Sequence, residues 1–206
     1  MKLIVGLGNP GDKRSLRSGD LKYVGTRHNL GFVVANELVD RLQGTGDSWN
    51  KSEKLKSEIC NLKTTTCNLI IAKPQTYMNN SGMAVKLLAS YYKIAPEDII
   101  IIHDELDLPL GKIKVRIGGA AAGHHGVESV MEALGTDQFI RVRLGIGNLK
   151  TQSSEHKGQS LNAEKFVLEP FIHSEKPQVK HMIKQAIKAL DLLLEKGLEK
   201  AQNQYN

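Results

Sequence analysis

Cysteines, long apolar runs and nucleophile motifs are scarce or missing in this sequence. The 206 residues include two cysteines, Cys60 and Cys67, with no CxxC pair and no Cys/His spacing typical of a zinc site. Reduced, partly buried thiols are expected, although the two neighbouring candidate strands leave a bridge conceivable. No apolar run is long enough for a membrane span, and the first residues, MKLIVGLG, are typical of a strand and lack the charged region and long apolar core of a signal peptide. These absences predict a cytoplasmic protein without a structural metal.

Positive charge is in excess. Lys and Arg outnumber Asp and Glu by 28 − 22 = 6, and the isoelectric point is near 9.2. A basic surface favours polyanions such as nucleic acid, although an ordinary basic protein is equally compatible with the charge alone.

Apolar patterning predicts one α/β domain over residues 1–206. The runs LIVGL (3–7) and DIIIIHD (98–104) predict buried strands, and the second is predicted to end in an acidic segment. Apolar residues at every fourth position predict a helix from His28 to Leu42, and similar spacing from Val179 to Leu194 predicts a C-terminal helix. With no repeat and no linker, the expectation is a mixed, twisted β-sheet with helices on both faces.

GLGNPG (6–11) follows the first strand and matches the glycine pattern of dinucleotide-binding enzymes. That alternative needs a helix directly after the glycines and an acidic residue at the end of a second strand. Pro10 and a polar stretch follow instead, so a tight turn that presents Asn9 at the sheet edge is favoured.

A histidine and a carboxylate stand where acid–base chemistry could occur. His28, in TRHN, begins the first helix, and the positive end of a helix favours a neutral ring that can accept a proton. Asp104 follows the strongest strand, and ligands gather outside the carboxyl ends of strands in α/β sheets. A carboxylate there can orient a histidine and stabilise its imidazolium form. A magnesium site and a plain acidic turn are the alternatives.

Two further segments suit RNA. PQTYMNNSG (74–82) places Tyr77 and neighbouring amides between a strand and a helix, which suits stacking and hydrogen bonding to an unpaired base. GKIKVRIG (111–118) alternates basic and apolar residues, so Lys114 and Arg116 are expected on the exposed face of a strand. Because no G-x-S-x-G motif and no suitably placed Cys/His pair occurs, a hydrolase would use activated water.

Six segments in order along residues 2–147 resemble the bacterial-type peptidyl-tRNA hydrolases: KLIVGLGNPG, YVGTRHNLGF, KPQTYMNNSG, HDELDLPLG, GHHG and FIRVRLGIG. The resemblance implies a cytoplasmic, monomeric enzyme without metal or cofactor. It would hydrolyse the ester between a peptide and the 3′ end of tRNA, which recycles tRNAs released from ribosomes. A non-catalytic RNA-binding relative of the same fold is the alternative.

The resemblance also implies roles for particular residues. His28 would be the catalytic base, Asp104 its orienting partner, and Asn9 a group beside the scissile ester. The remaining implied substrate-binding residues are Tyr23, Tyr77, Met78, Asn79, His125, Lys114, Arg116 and Arg143.

Two departures from the family pattern stand out. DKRSLRSGDLK (12–22) is an insertion, interpreted as a surface loop or, alternatively, as an added phosphate contact through Lys13, Arg14 or Arg17. His125 stands where the family has an asparagine. Since a neutral imidazole can also donate and accept, His125 is expected to keep the binding role with altered geometry and to add a pH dependence.

Overall fold

A seven-stranded mixed sheet runs through the part of the chain that this computed structural model describes, residues 1–11, 25–43, 49–147 and 163–206. The strands are β1 (Lys2–Gly6), β2 (Asn50–Ser52), β3 (Ser57–Lys63), β4 (Asn68–Pro74), β5 (Ile99–Pro109), β6 (Ile113–Ile117) and β7 (Ile140–Gly147). Their order is β2-β3-β4-β1-β5-β7-β6. The central strands β4, β1, β5 and β7 are parallel, and the β2–β3, β3–β4 and β6–β7 pairs are antiparallel.

Helices cover both faces of the sheet. They are α1 (Leu30–Gln43), α2 (Ser81–Tyr92), α3 (His125–Leu134), α4 (Ala163–Val167), α5 (Lys176–Lys196) and α6 (Leu198–Tyr205). Helices α1, α5 and α6 pack on one face, and α2 and α3 on the other. In β5, Ile100 and Ile102 point to the first cluster and Ile99 and Ile101 to the second, all fully buried. Strand β5 is therefore continuously apolar because both faces of the sheet are covered, as predicted.

The predicted fold class, α/β with helices on both faces of a mixed sheet, is confirmed. Two details differ. Strand β5 does not end at Asp104 but continues to Pro109, because β7 pairs alongside with His103, Asp104 and Glu105. Main-chain pairing does not require apolar side chains, so the acidic residues stay in the strand. The first helix begins at Leu30, after a 3-10 turn.

Close backbone packing fixes where α1 begins. A Cβ at Gly31 would lie 2.4 Å from the main-chain N and O of Leu7 and 2.5 Å from the carbonyl O of Ile102. Only glycine permits this approach. The 3-10 turn Arg27–Asn29 directly precedes this contact and is thereby held beside the carboxyl end of β1 and the middle of β5.

The remaining fold-level predictions have mixed outcomes. Cys60 and Cys67 are both free, as expected, and burial raises the pKa of Cys60. No helix among the described residues is long and apolar enough to cross a membrane. The insertion 12–22 and the polar segment 148–160 lie outside the described residues, so the predictions for them stay predictions.

Candidate active site

His28 and Asp104, 76 residues apart, meet where the 3-10 turn before α1 lies against β5. The His28 Nδ1 atom lies 2.9 Å from Oδ1 and 3.1 Å from Oδ2 of Asp104. The side chain of Asp104 is 2% exposed and that of His28 is 12% exposed. An ionised carboxylate can only accept, so Nδ1 donates and Nε2 is left as the proton acceptor of the ring. The pairing predicted from the sequence is therefore possible in geometry and tautomer.

A second histidine shares the same carboxylate. The Nε2 atom of His124 lies 3.1 Å from Oδ1 of Asp104. His124 is also the N-cap of α3, where its Nδ1 accepts a hydrogen bond from the Val127 main-chain N–H at 3.3 Å. A neutral His124 therefore carries its proton on Nε2 and donates it to Asp104. This bond, which the sequence prediction missed, leaves Asp104 accepting from two rings.

The two histidines keep Asp104 ionised. Burial by itself raises the pKa of Asp104, but the charges and hydrogen bonds of His28 and His124 outweigh it and hold that pKa well below its usual range. Their ligand atoms and that of Asp104 lie within 4.8 Å of one another, so these three residues could also hold a metal ion. The hydrogen bonds that His28 and His124 donate to Asp104 also explain why these atoms lie so close together.

His103 closes the buried side of this network. It is fully buried, and its Nδ1 donates to the main-chain O of Asp104 at 2.7 Å. Its ring lies edge-on to that of His124, with centroids 4.8 Å apart. Complete burial, with His124 adding to it, holds the pKa of His103 well below its usual range. A neutral ring therefore supports His124 from behind.

Asn9 is fixed so that its amide nitrogen remains available. Its Oδ1 accepts the Met78 main-chain N–H at 2.9 Å, and its own main-chain N–H donates to Asn29 Oδ1 at 2.7 Å. The fully buried Asn29 returns a bond from Nδ2 to the Asn9 carbonyl O at 3.3 Å. The Asn9 Nδ2 atom has no hydrogen-bond partner among the described residues, and Asn9 lines the cleft, so this donor is free to meet a ligand.

Tyr77 has a strained backbone beside Asn9. Its φ of 58° and ψ of 162° are values that essentially only glycine adopts without cost. Its side chain is 64% exposed, whereas Met78 is buried at 2% and packs on Gly126 at the start of α3. Asn79 is exposed. Strain of this kind persists where the surroundings fix the turn, here through the Met78–Asn9 hydrogen bond.

A cleft of about 490 Å³ joins these groups. One wall is polar and is formed by Asn9, His28, Asp104 and His124, with Tyr77, Met78 and Asn79 at its side. Apolar side chains also line the cleft, those of Leu106, Val167 and Leu168, and Val167 and Leu168 are called its apolar wall.

His125 lines the cleft at its rim and is half exposed. Its Nδ1 contacts Glu128 Oε2 at 2.9 Å, and its Nε2 lies 3.9 Å from Glu164 Oε1. The imidazole is therefore flanked by two carboxylates that belong to α3 and α4.

The predicted basic residues do not line the cleft. Lys114 is exposed and Arg116 half-buried on the edge strand β6, opposite Arg143 and Arg141 of β7. Arg143 is engaged, since its Nε donates to Glu105 Oε2 at 3.0 Å. Glu105 does line the cleft, so Arg143 reaches the site through its partner.

Arg141, which the sequence prediction missed, supports the glycine-rich loop before His124. It is fully buried and donates to the carbonyl oxygens of Gly118, Gly119 and Ala120, with 2.8 Å to Gly119 and 3.0 Å to Ala120. Burial, with the neighbouring arginines adding to it, lowers its pKa to about 10. Arg141 thus holds the loop that leads to His124. The run of glycines before the two histidines was the available signal, because tight turns expose carbonyls that need a donor.

Tyr23 lies outside the described residues, and its predicted role stays a prediction. All other predicted site residues are described: Asn9, His28, Tyr77, Met78, Asn79, Asp104 and His125 share the cleft, and Lys114, Arg116 and Arg143 lie beyond it.

Comparisons with known proteins identify the family of this chain. The family model "Peptidyl-tRNA hydrolase" matches residues 3–206. The chain is 45% identical over 201 residues to a peptidyl-tRNA hydrolase of Mycolicibacterium gilvum (strain PYR-GCK), covering 98% of this chain and 94% of that protein. It is 43% identical over 202 residues to that of Mycobacterium leprae (strain Br4923), covering 98% and 92%. The crystal structure of peptidyl-tRNA hydrolase from Acinetobacter baumannii superposes with a TM-score of 0.82 at 32% identity, covering 100% of this chain and 94% of that one. The chain therefore belongs to the peptidyl-tRNA hydrolase family and is a hydrolase.

Proposed function

We propose that this chain hydrolyses the ester bond between a peptide and the 3′ end of tRNA, with a water molecule activated by His28. The observation that supports this most is the His28 Nδ1–Asp104 contact of 2.9 Å, which leaves Nε2 as a base in a residue that lines the cleft. A positioned general base contributes about 10²–10⁴-fold to a rate.

The reaction needs one proton shuttle. His28 Nε2 takes a proton from water, and the oxygen attacks the ester carbonyl carbon. The resulting imidazolium, stabilised by ionised Asp104, then returns a proton to the departing ribose oxygen. Asn9 donates from Nδ2 to the negative oxygen of the tetrahedral intermediate, a kind of bond worth roughly 10²–10³-fold. No step requires a metal or cofactor, and we propose that none is used.

Recognition of the tRNA is divided between the cleft and the sheet edge. Tyr77, with Met78 and Asn79, stacks on and hydrogen-bonds to the unpaired 3′ end, and Tyr23 adds a contact there. His125 keeps a binding role at the cleft rim, with its ring held by Glu128.

Phosphates are bound outside the cleft. Lys114 and Arg116 attract tRNA phosphates independently of sequence, and Arg143 can donate to phosphates from the guanidinium N–H groups that Glu105 does not occupy. We also propose that the protein is a monomer with a single domain and that it acts in the cytoplasm.

The test is release of free tRNA from N-acetyl-aminoacyl-tRNA by the wild type and by His28→Ala. The matched control is His181→Ala, an exposed histidine on α5. Loss of release in His28→Ala alone is expected. Equal release by His28→Ala and the wild type would overturn the role of His28. Retained tRNA binding without any release by the wild type would support the non-catalytic alternative.

A further inference from the structure

Arg27, next to His28, is a buried cation that the proposed chemistry does not use. Its side chain is 4% exposed, and its Nη2 donates to Glu175 Oε2 at 3.0 Å. The guanidinium carbon lies 4.4 Å from the ring centroid of Phe166 and 4.6 Å from that of Phe171. A charge is this deeply buried only where it is paired or stacked, and Arg27 is both.

The side-chain contacts of Arg27, with Phe166, Phe171 and Glu175, all belong to one segment, residues 163–175. The main-chain N–H of Arg27 donates to the carbonyl O of Glu169 in the same segment at 3.1 Å, and Glu175 in turn accepts the Ile172 N–H at 2.9 Å. The Nε and Nη1 atoms have no conventional hydrogen-bond partner in the part of the chain that the structure describes. With two aromatic faces within 5 Å of the guanidinium, the rings offer these donors an electron-rich surface instead.

The same segment forms the apolar wall of the cleft. Helix α4 has five residues, and Val167 at its end and Leu168 after it line the same cleft as His28. So short a helix has little stability of its own and depends on tertiary contacts. The buried apolar side chains of this segment are Phe166, Val167 and Phe171. The rings of Phe166 and Phe171 both pack against the guanidinium of Arg27.

The geometry points to Arg27 as a positioning residue that fixes the apolar wall formed by Val167 and Leu168 at a set distance from His28. This inference rests on the function proposed above and adds a determinant of substrate binding to it. The base itself has separate supports, the Asp104 hydrogen bonds and the buried Asn29 next to it. Loss of Arg27 should therefore release the wall and leave the base in place.

The kinetic test compares Arg27→Met with the wild type on N-acetyl-aminoacyl-tRNA. KM should rise about tenfold, equivalent to about 1.4 kcal/mol of lost binding, while kcat changes less than about threefold. The pH profile of kcat should be unchanged. Arg27→Lys keeps the cation without the planar group and should give an intermediate KM. Arg41→Met, which breaks the Arg41–Asp191 ion pair between α1 and α5, is the control and should leave KM unchanged.

Amide hydrogen exchange tests the inference without substrate. In Arg27→Met, exchange should accelerate in residues 163–172 and stay at wild-type rates in β5 and α1. If Arg27→Met does not fold, Glu175→Gln, which removes only the charge of the partner, is measured in the same way.

Two outcomes would overturn the role of Arg27. One is an unchanged KM with a fall in kcat that follows a fall in Tm, and the other is exchange in residues 163–172 equal to that of Arg41→Met. Absence of turnover in the wild type would instead contradict the proposed function, and the exchange measurement would still decide the role of Arg27.

Discussion

Replacing Asp104 by asparagine should lower kcat/KM by on the order of 10³–10⁴-fold, or about 4–5 kcal/mol of transition-state stabilisation. The change is nearly isosteric, so the cleft keeps its shape. The charge that stabilises the imidazolium form of His28 is lost. One of the two acceptor oxygens also becomes a donor.

The distances show what each orientation of the new amide does to the site. His28 Nδ1 lies 2.9 Å from Oδ1 and 3.1 Å from Oδ2 of Asp104. With its oxygen at the Oδ1 position, the amide still offers an acceptor to both rings, and the loss is that of the negative charge. With its NH₂ at the Oδ1 position, the amide faces Nδ1 as a donor and favours the tautomer with the proton on Nε2. That tautomer has no base toward the cleft. At the Oδ1 position the NH₂ would also face the Nε2–H of His124, whose Nδ1 is needed as the cap of α3.

Single-turnover release of tRNA from N-acetyl-aminoacyl-tRNA, with Tm measured on the same samples, is the assay. Asp98→Asn is the matched control because Asp98 immediately precedes β5 and forms a surface ion pair with Lys2. Such pairs contribute about 0–1 kcal/mol, so the control should retain wild-type rates. Activity of Asp104→Asn within tenfold of the wild type would refute the reasoning about tautomer and charge.

Three other outcomes follow from the geometry. Tyr77→Gly should raise the free energy of unfolding by up to about 2 kcal/mol, since glycine adopts a φ of 58° without strain. The value of kcat/KM should fall because the side chain is lost, and a lower free energy of unfolding in urea would contradict the prediction. His125→Asn should change kcat/KM, because a ring that contacts Glu128 and lies near Glu164 at the cleft rim is replaced by a shorter amide; a kcat/KM equal to that of the wild type would contradict it. The pKa of Asp104 is lowered on folding, so its ionisation stabilises the protein above the unfolded pKa of about 3.9, and this stabilisation is lost as pH falls below that value. The stability advantage of the wild type over Asp104→Asn in urea should therefore shrink below about pH 4, and a constant difference from pH 6 to pH 3 would contradict the assignment.

Patterns along the chain predict what depends on local sequence. The burial of Ile99–Ile102 on both faces of the sheet follows from their uniform apolarity. The pairing of His28 with Asp104 was implied by the family resemblance, and a carboxylate after an apolar strand agreed with it. The length of β5 could not be predicted, because its acidic residues are held by main-chain bonds to β7, and those depend on a strand some 40 residues later.

Contacts between side chains that are distant along the chain could not be predicted from the sequence for the same reason. His124 caps α3, and its second bond, to Asp104, depends on the angle at which α3 meets the sheet. Arg141 reads as one more basic residue on an alternating strand. Its burial beneath the carbonyls of Gly118 and Gly119 depends on the path of a loop that no periodicity describes.

The glycine at position 31 makes the geometry of the site tolerant of change elsewhere. Because its missing side chain lets main-chain atoms of α1 rest on those of Leu7 and Ile102, the helix and the sheet are in direct backbone contact at this point. A swap of Ile100 for valine would thus alter core packing, at about 0.5–1.5 kcal/mol of stability, without altering the distance from His28 to Asp104. Stability and catalytic geometry are therefore separable traits in this chain, and Gly31 is a position where a single added methyl group would couple them.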